Sequence, residues 1–181
     1  MINLNLQPEV IVVGIGECRT GRPPTCALST YALGSCFAVV AWDWKLKLGG
    51  LLHVMLPDSK VDRSKAQIRP YLYVDTGVPA LLRTLIEHGS SKRHLRWCIA
   101  GGANMMAGSG HFEIGKRNHF ALRKAMGNLG IFVDQEDIGG SQSRSVRLDL
   151  RTGQIDLRKG VGPEEILMHA TISVQPKGFS T

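Results

Sequence analysis

The sequence predicts a single α+β domain, and three observations lead there. Strand-like segments clearly outnumber helical stripes. The two kinds do not alternate along the chain as they would around a doubly wound parallel sheet. A length of 181 residues, with 43% hydrophobic and 20% charged content, suits one core in a soluble globular protein.

Taken in order, Glu9 to Ile15 (EVIVVGI) reads as a buried strand because it is rich in β-branched residues. Glu17 to Thr25 (ECRTGRPPT) reads as a turn-rich loop. Cys36 to Trp42 (CFAVVAW) and Leu48 to Leu56 (LGGLLHVML) form two further strands, and the short polar stretch between them makes a β-hairpin the economical connection. Pro57 to Arg69 is polar, basic and loop-like. Thr76 is placed as the N-cap of a helix whose stripe is Val78, Leu81, Leu82, Leu85 and Ile86, with Pro79 in the first turn and Gly89 as its stop. Leu95 to Ala100 is a short strand entering the turn Gly101-Gly102. A second helix is expected from about Asn118 to Leu129, with Ala121, Leu122, Ala125, Met126 and Leu129 on one face and Gly130 beyond it. Ile131 to Val133, Val146 to Leu150 and Ile155 to Leu157 complete the strands, with Arg151-Thr152-Gly153 turning between the last two. No repeat or linker divides the chain, so one domain covers residues 1–181, with its core over about 9–160 and a loose tail over about 172–181.

A net charge of +7 implies acidic partners, and charge alone does not choose among nucleic acid, anionic membrane and an acidic protein surface. No aromatic residues interleave with the basic clusters, so no stacking surface for nucleic acid is expected. No apolar run is long enough to span a bilayer. The start of the chain has no basic residue ahead of its apolar stretch, which argues against a secretory signal and for the cytoplasm. The six histidines show no paired-ligand spacing and the four cysteines no zinc spacing, so no metal is expected. Gly14-Ile15-Gly16 would need a third glycine where Arg19 stands, and the dinucleotide fingerprint fails. Gly101-Gly102 lacks the residues of a phosphate loop, so no cofactor is expected.

Of Cys18, Cys26, Cys36 and Cys98, spacing leaves a disulfide between two of them open, and free thiols are the expectation for a leaderless protein. Cys36 opens one strand of the hairpin and His53 lies in the other. A two- or four-residue loop centred between Trp44 and Lys45 would set them directly opposite, with Cα atoms roughly 4.5–5.5 Å apart and side chains on one face. A bulge at Gly49-Gly50 would instead separate the faces. The alternative reading stands beside the first: a cysteine opening an apolar strand is commonly a small buried hydrophobe, and a histidine on such a strand a satisfied core residue. If the two meet, an imidazolium favours the thiolate, so Cys36 should react well below about pH 8. The same group can protonate an amide's leaving nitrogen. A third group commonly orients the histidine. Asp43 lies at the hairpin's far end, which leaves a hydroxyl such as Thr30 or Ser35. Backbone N–H groups around Ser35 and Cys36 are the candidate oxyanion donors.

The stretch LGSCFAVVAWD…GGLLHVMLP resembles the chemoreceptor glutamine deamidase family, CheD. The likeness continues in order through IAGGANM (99–105), IGKRN (114–118), EDIGG (136–140), RSV (144–146) and Thr152-Gly153, over roughly residues 10 to 160. Lys116 and Ser143 depart from the pattern. The resemblance implies an α+β sandwich of mixed and antiparallel strands with about two main helices, similar to glutamine-deamidating toxins. It implies Cys36 as nucleophile, His53 as catalytic histidine and Thr30 as the threonine associated with them. The implied substrates are glutamine side chains of methyl-accepting chemotaxis receptors, and the implied partner is a CheC-type phosphatase. Two rival functions follow from the same residues: a regulatory binding partner of that phosphatase with little turnover, and an esterase of receptor methyl glutamates.

Overall fold

The computed structural model describes residues 9–25, 27–104 and 112–169. It is α+β, with two mixed five-stranded sheets packed face to face and helices against one outer side. The first sheet has the order β1 (Val10–Val12), β3 (Ala27–Leu33), β8 (Arg144–Asp149), β9 (Ile155–Lys159) and β10 (Glu164–Met168). The second runs β2 (Cys18–Gly21), β5 (Leu48–Val54), β4 (Phe37–Asp43), β6 (Leu95–Gly101) and β7 (Gln135–Ile138). Neighbours are antiparallel except β1 with β3 and β6 with β7.

The alternation of side chains along β4 assigns its residues to two cores. Ala38, Val40 and Trp42 face the first sheet, where they meet Leu28, Val146, Leu148 and Leu157. Phe37, Val39 and Ala41 face the helices, where they share a cluster with Val78, Leu81 and Leu85 of α2 (Val74–Glu87) and with Leu122 and Met126 of α3 (Phe112–Asn128). Every residue of β4 and β5 is buried, because the second sheet is covered on both faces. Their unbroken apolar runs are the sequence image of that double coverage.

Several elements differ from the sequence reading. β1 is a short edge strand with Val10 and Val12 exposed; Ile11 packs partly against the core, and Val13 beyond the strand is buried in it. The expected loop over 17–25 contains β2, and the unassigned stretch before Cys36 contains β3. Ile131 to Val133 is not a strand; Ile131 anchors the core as the chain leaves α3, and the strand begins at Gln135. α2 starts at Val74 rather than beside Thr76, whose hydroxyl donates to the Pro70 carbonyl instead of capping. α3 begins six residues before Asn118. The stretch read as a loop after Pro57 holds a 3-10 turn and the short helix α1 (Arg63–Ile68). The proposed tail over 172–181 and Cys26 lie outside the described residues. Gly89 and Gly130 end their helices with φ of +94° and +65°, as glycine at such ends does.

The hairpin that carries the candidate residues is in place, with a shifted register. β4 and β5 pair without a bulge from Asp43↔Leu48 to Phe37↔Val54, so the loop is Trp44 to Lys47 and His53 faces Ala38. The buried Asp43 carboxylate sets this register. Its Oδ1 accepts from the backbone N–H groups of Lys45 and Leu46, each at 2.9 Å, and its Oδ2 accepts from the Ser90 hydroxyl. Lys47 completes the loop in a left-handed conformation with φ of +50°.

Candidate active site

Cys36 lies one residue before the paired part of β4, so it stands diagonally from His53 rather than opposite it. The shift from the expected register is two residues, an even number, and the period of two therefore keeps both side chains on one face. Diagonal positions of this kind have Cα atoms roughly 7–8 Å apart, within reach of an imidazole. That face is the one between the sheets: Leu51, with the parity of His53, and Ala38, with the parity of Cys36, both belong to the inter-sheet core. Gly49 lies on the same face, where a Cβ would collide with Leu148 and Leu150 of the first sheet.

His53 is held from several sides. Its backbone N–H donates to the Glu17 carbonyl at 3.0 Å, and its carbonyl accepts from Gly16 N–H at 2.8 Å. The glycines that fail as a nucleotide motif therefore belong to a turn wrapped around this residue. Across the sandwich, Thr30 of β3 places its Oγ1 2.8 Å from His53 Nδ1 and 2.8 Å from the Val13 carbonyl oxygen. A hydroxyl has one proton, and the carbonyl can only accept. The Thr30 O–H donates to Val13, so Oγ1 accepts from Nδ1–H, and the neutral imidazole carries its lone pair on Nε2. Nε2 is buried and has no hydrogen-bond partner, so the Cys36 sulfur is not bonded to it. Burial lowers the His53 pKa to about 4, with the Val13 carbonyl acting in the other direction.

Cys36 is half-buried and free. Burial raises its thiol, and its own backbone N–H opposes the rise. Taken together, the two environments favour a neutral thiol beside a neutral imidazole over the thiolate–imidazolium pair expected from sequence. Cys18, also free, is pushed up to about 12 by burial despite Arg19 beside it. Cys98 is sealed in the inter-sheet core, and burial raises it further, helped by Asp134, Asp137 and Glu136.

The loop bearing Cys36 is braced by backbone and by one side chain. The carbonyls of Gly34 and Cys36 accept from the N–H groups of Ala103 and Gly102 at 2.8 and 2.9 Å. Gly101 takes a φ of +136°, and a Cβ there would collide with the Cys36 carbonyl oxygen, so the close approach requires glycine. Asn118 of α3, fully buried, donates from Nδ2 to the carbonyls of Ser35 at 3.1 Å and Met55 at 2.9 Å. Sequence reasoning missed this residue, although the signal was visible: Asn118 stands four residues before Leu122 and eight before Met126, a polar residue on the apolar stripe. A groove of about 620 Å3 between α2 and α3, lined by Pro79, Phe120, Lys124 and Ala125 among others, opens on the helix side of the second sheet, away from the face of His53.

Fold and site define a class of protein: a two-sheet α+β sandwich holding a half-buried cysteine and a tautomer-fixed histidine on the wall between its sheets. Comparison with known proteins gives that class a family. The family model described as CheD chemotactic sensory transduction matches residues 55–159. A "Probable chemoreceptor glutamine deamidase CheD" of Solibacter usitatus (strain Ellin6076) is 42% identical over 159 residues, covering 88% of this chain and 94% of the relative. The protein of that name from Pyrococcus abyssi (strain GE5 / Orsay) is 39% identical over 158 residues, with coverage of 86% and 95%. "Probable chemoreceptor glutamine deamidase CheD 1" of Syntrophus aciditrophicus (strain SB) is 38% identical over 153 residues, with coverage of 84% and 96%. The chain belongs to the CheD family. The family match begins two residues beyond His53, so it includes Asn118 and strands β6 to β9 but not the Cys36–His53 hairpin.

Proposed function

We propose that the protein is a cysteine amidohydrolase that converts glutamine side chains of methyl-accepting chemotaxis receptors to glutamate. The observation that carries this reading is the chain from His53 Nδ1–H through Thr30 to the Val13 carbonyl, which leaves Nε2 as a base on the face that also bears Cys36. The names of the relatives supply the substrate class.

In the proposed reaction, Nε2 takes the Cys36 proton as the sulfur attacks the carboxamide carbon. The C=O bond opens to an oxyanion, and the imidazolium gives its proton to the departing nitrogen, which leaves as ammonia. The resulting thioester is hydrolysed by a water that Nε2 deprotonates, giving glutamate and restoring the thiol. Because both groups are neutral beforehand, His53 acts as a general base during attack and not as one half of a preformed ion pair. Thr30 holds the ring through both protonation states, since Nδ1–H is a donor in each. A net charge of +7 suits acidic receptor helices. No helix among the described residues is long and apolar enough to cross a membrane. The reading includes a cytoplasmic site of action and a CheC-type phosphatase as partner, both of which follow from the family's role in chemotaxis and not from the geometry.

The test is incubation of the full chain with receptor fragments, measuring ammonia and the amide-to-acid mass change of tryptic peptides. Activity is expected for the native protein and none for Cys36→Ala. Full activity in Cys36→Ala would refute the assignment. Parallel assay of glutamine and methyl-glutamate peptides separates deamidation from ester hydrolysis, which the same thioester chemistry would serve.

A further inference from the structure

Three consecutive carbonyls around the nucleophile position, those of Gly34, Ser35 and Cys36, are all engaged by the protein interior. Backbone N–H groups of Ala103 and Gly102 hold the outer two. For the middle one no backbone donor is supplied among the described residues; the Asn118 side chain takes that place. Both acceptors facing Asn118 are carbonyls, which fixes its amide orientation with the NH2 toward them. Its Oδ1 is buried without a partner. An unpaired buried acceptor is costly, so the position keeps an amide against its own solvation.

The geometry of a peptide bond turns this contact into a statement about catalysis. In a planar trans peptide the C=O and N–H point in opposite directions. Drawing the Ser35 oxygen toward Asn118 turns the Cys36 N–H the other way. The second contact, to Met55, ties the same side chain to the end of β5 two residues beyond His53. One amide therefore joins the cysteine loop to the histidine strand.

We infer that Asn118 is a positioning residue that fixes the Ser35–Cys36 peptide, so that the Cys36 N–H meets the substrate oxygen as it becomes an oxyanion. The inference rests on the deamidase reading above and goes beyond it by selecting the Cys36 N–H among the candidate oxyanion donors and naming Asn118 as what orients it. Loss of one such donor typically lowers kcat by about 10²–10³-fold.

The experiment uses full-length Asn118→Ala and Asn118→Asp, compared by thermal unfolding, with kcat and KM measured on a glutamine-containing receptor peptide. Alkylation of Cys36 by chloroacetamide is followed in parallel, because displacement at its CH2 forms no oxyanion. The expected result is kcat lower by about 100-fold, KM within about twofold, and alkylation far less affected. A folded variant with native kcat, or with kcat and alkylation lost in equal proportion, overturns the inference. A measurement on the native chain is independent of how the variants fold. A peptide aldehyde adds the Cys36 sulfur to its carbonyl carbon as a hemithioacetal, and the 15N-edited Cys36 amide proton should then move downfield; an unmoved resonance overturns the inference equally. Failure of the functional reading looks different: the native chain would release no ammonia, or Cys36→Ala would release as much, and the inference would fall with it.

Discussion

A single hydroxyl decides which nitrogen of His53 carries the proton. Thr30 can donate only once and does so to Val13, so it fixes the proton on Nδ1 and frees Nε2. Thr30→Val keeps the shape and removes both functions. It should reduce kcat for deamidation by about 100-fold, within the range that a positioned base contributes, with the Cys36 thiol still present to titration. It should also destabilise the fold by about 1–3 kcal/mol, measured by urea unfolding, because Val13 and Nδ1 lose their partners. The depressed His53 pKa has a signed consequence. Between 6.5 and about 4 the unfolded chain binds a proton that the folded chain refuses, so stability is full above 6.5 and falls as pH drops toward 4. His53→Gln should lose less stability than the native protein over that window. The acid limb of kcat/KM, which reports the free enzyme, should accordingly lie near 4 rather than at the 6.5 of a solvated histidine. An acid limb centred on 6.5 would show that His53 is not held neutral by burial.

At the level of elements, the β4–β5 hairpin aligns the site, and Asp43 aligns the hairpin. Burial alone would raise the Asp43 pKa, but hydrogen bonds from Ser90, Leu46 and Lys45, with His94 nearby, bring it below the ordinary value. Asp43→Ala should cost about 2–3 kcal/mol by chemical denaturation, since it strands the Ser90 hydroxyl and releases two loop amides. It should also lower deamidation, because the loop no longer specifies which residue faces His53. The hairpin was legible in sequence because β4 and β5 are covered on both faces and read as apolar runs. Its register was not, because hydrophobic alternation fixes the face of a residue and leaves shifts of two undetermined. The strands that escaped notice have physical reasons too. β2 (CRTG) and β7 (QEDI) are edge strands, where charge guards the open side. β3 turns Thr30 toward His53 at a position where a structural strand would carry an aliphatic residue, so the site itself interrupts the pattern.

For the molecule as a whole, the two sheets must keep a fixed distance, because Thr30 and Val13 reach His53 from the first sheet while Cys36 belongs to the second. A charged clamp ties them at the end near β7. Asp137 of β7 meets Arg144 of β8 and Lys159 of β9, each at 2.7 Å, and Arg144 also donates to the Gln142 carbonyl. Burial acts to raise Asp137, and these two cations outweigh it and lower its pKa. Its contribution is therefore present above the ordinary value of 3.8 and lost as pH falls below it, a range more acidic than that of His53. Arg144→Met should destabilise the protein by less than the roughly 3–5 kcal/mol of an isolated buried charge, because Lys159 remains to pair Asp137. Thermal unfolding of Arg144→Met beside Arg144→Met/Lys159→Met measures that difference, and the double variant should be clearly worse.

The amino-acid order by itself determined the α+β class, the hairpin, the two main helices with their glycine stops, and the family to which the LGSC and GGLLH blocks point. These are local matters: periodicity, turn chemistry and motif can be read within a few tens of residues. Only the tertiary structure decided which residue stands across from His53, which nitrogen of that ring is free, and that Asn118 braces the cysteine loop. The last two depend on groups 17 to 83 residues apart meeting at hydrogen-bond distance. Contacts of that kind arise from how two sheets and a helix pack against one another, and no local pattern encodes them.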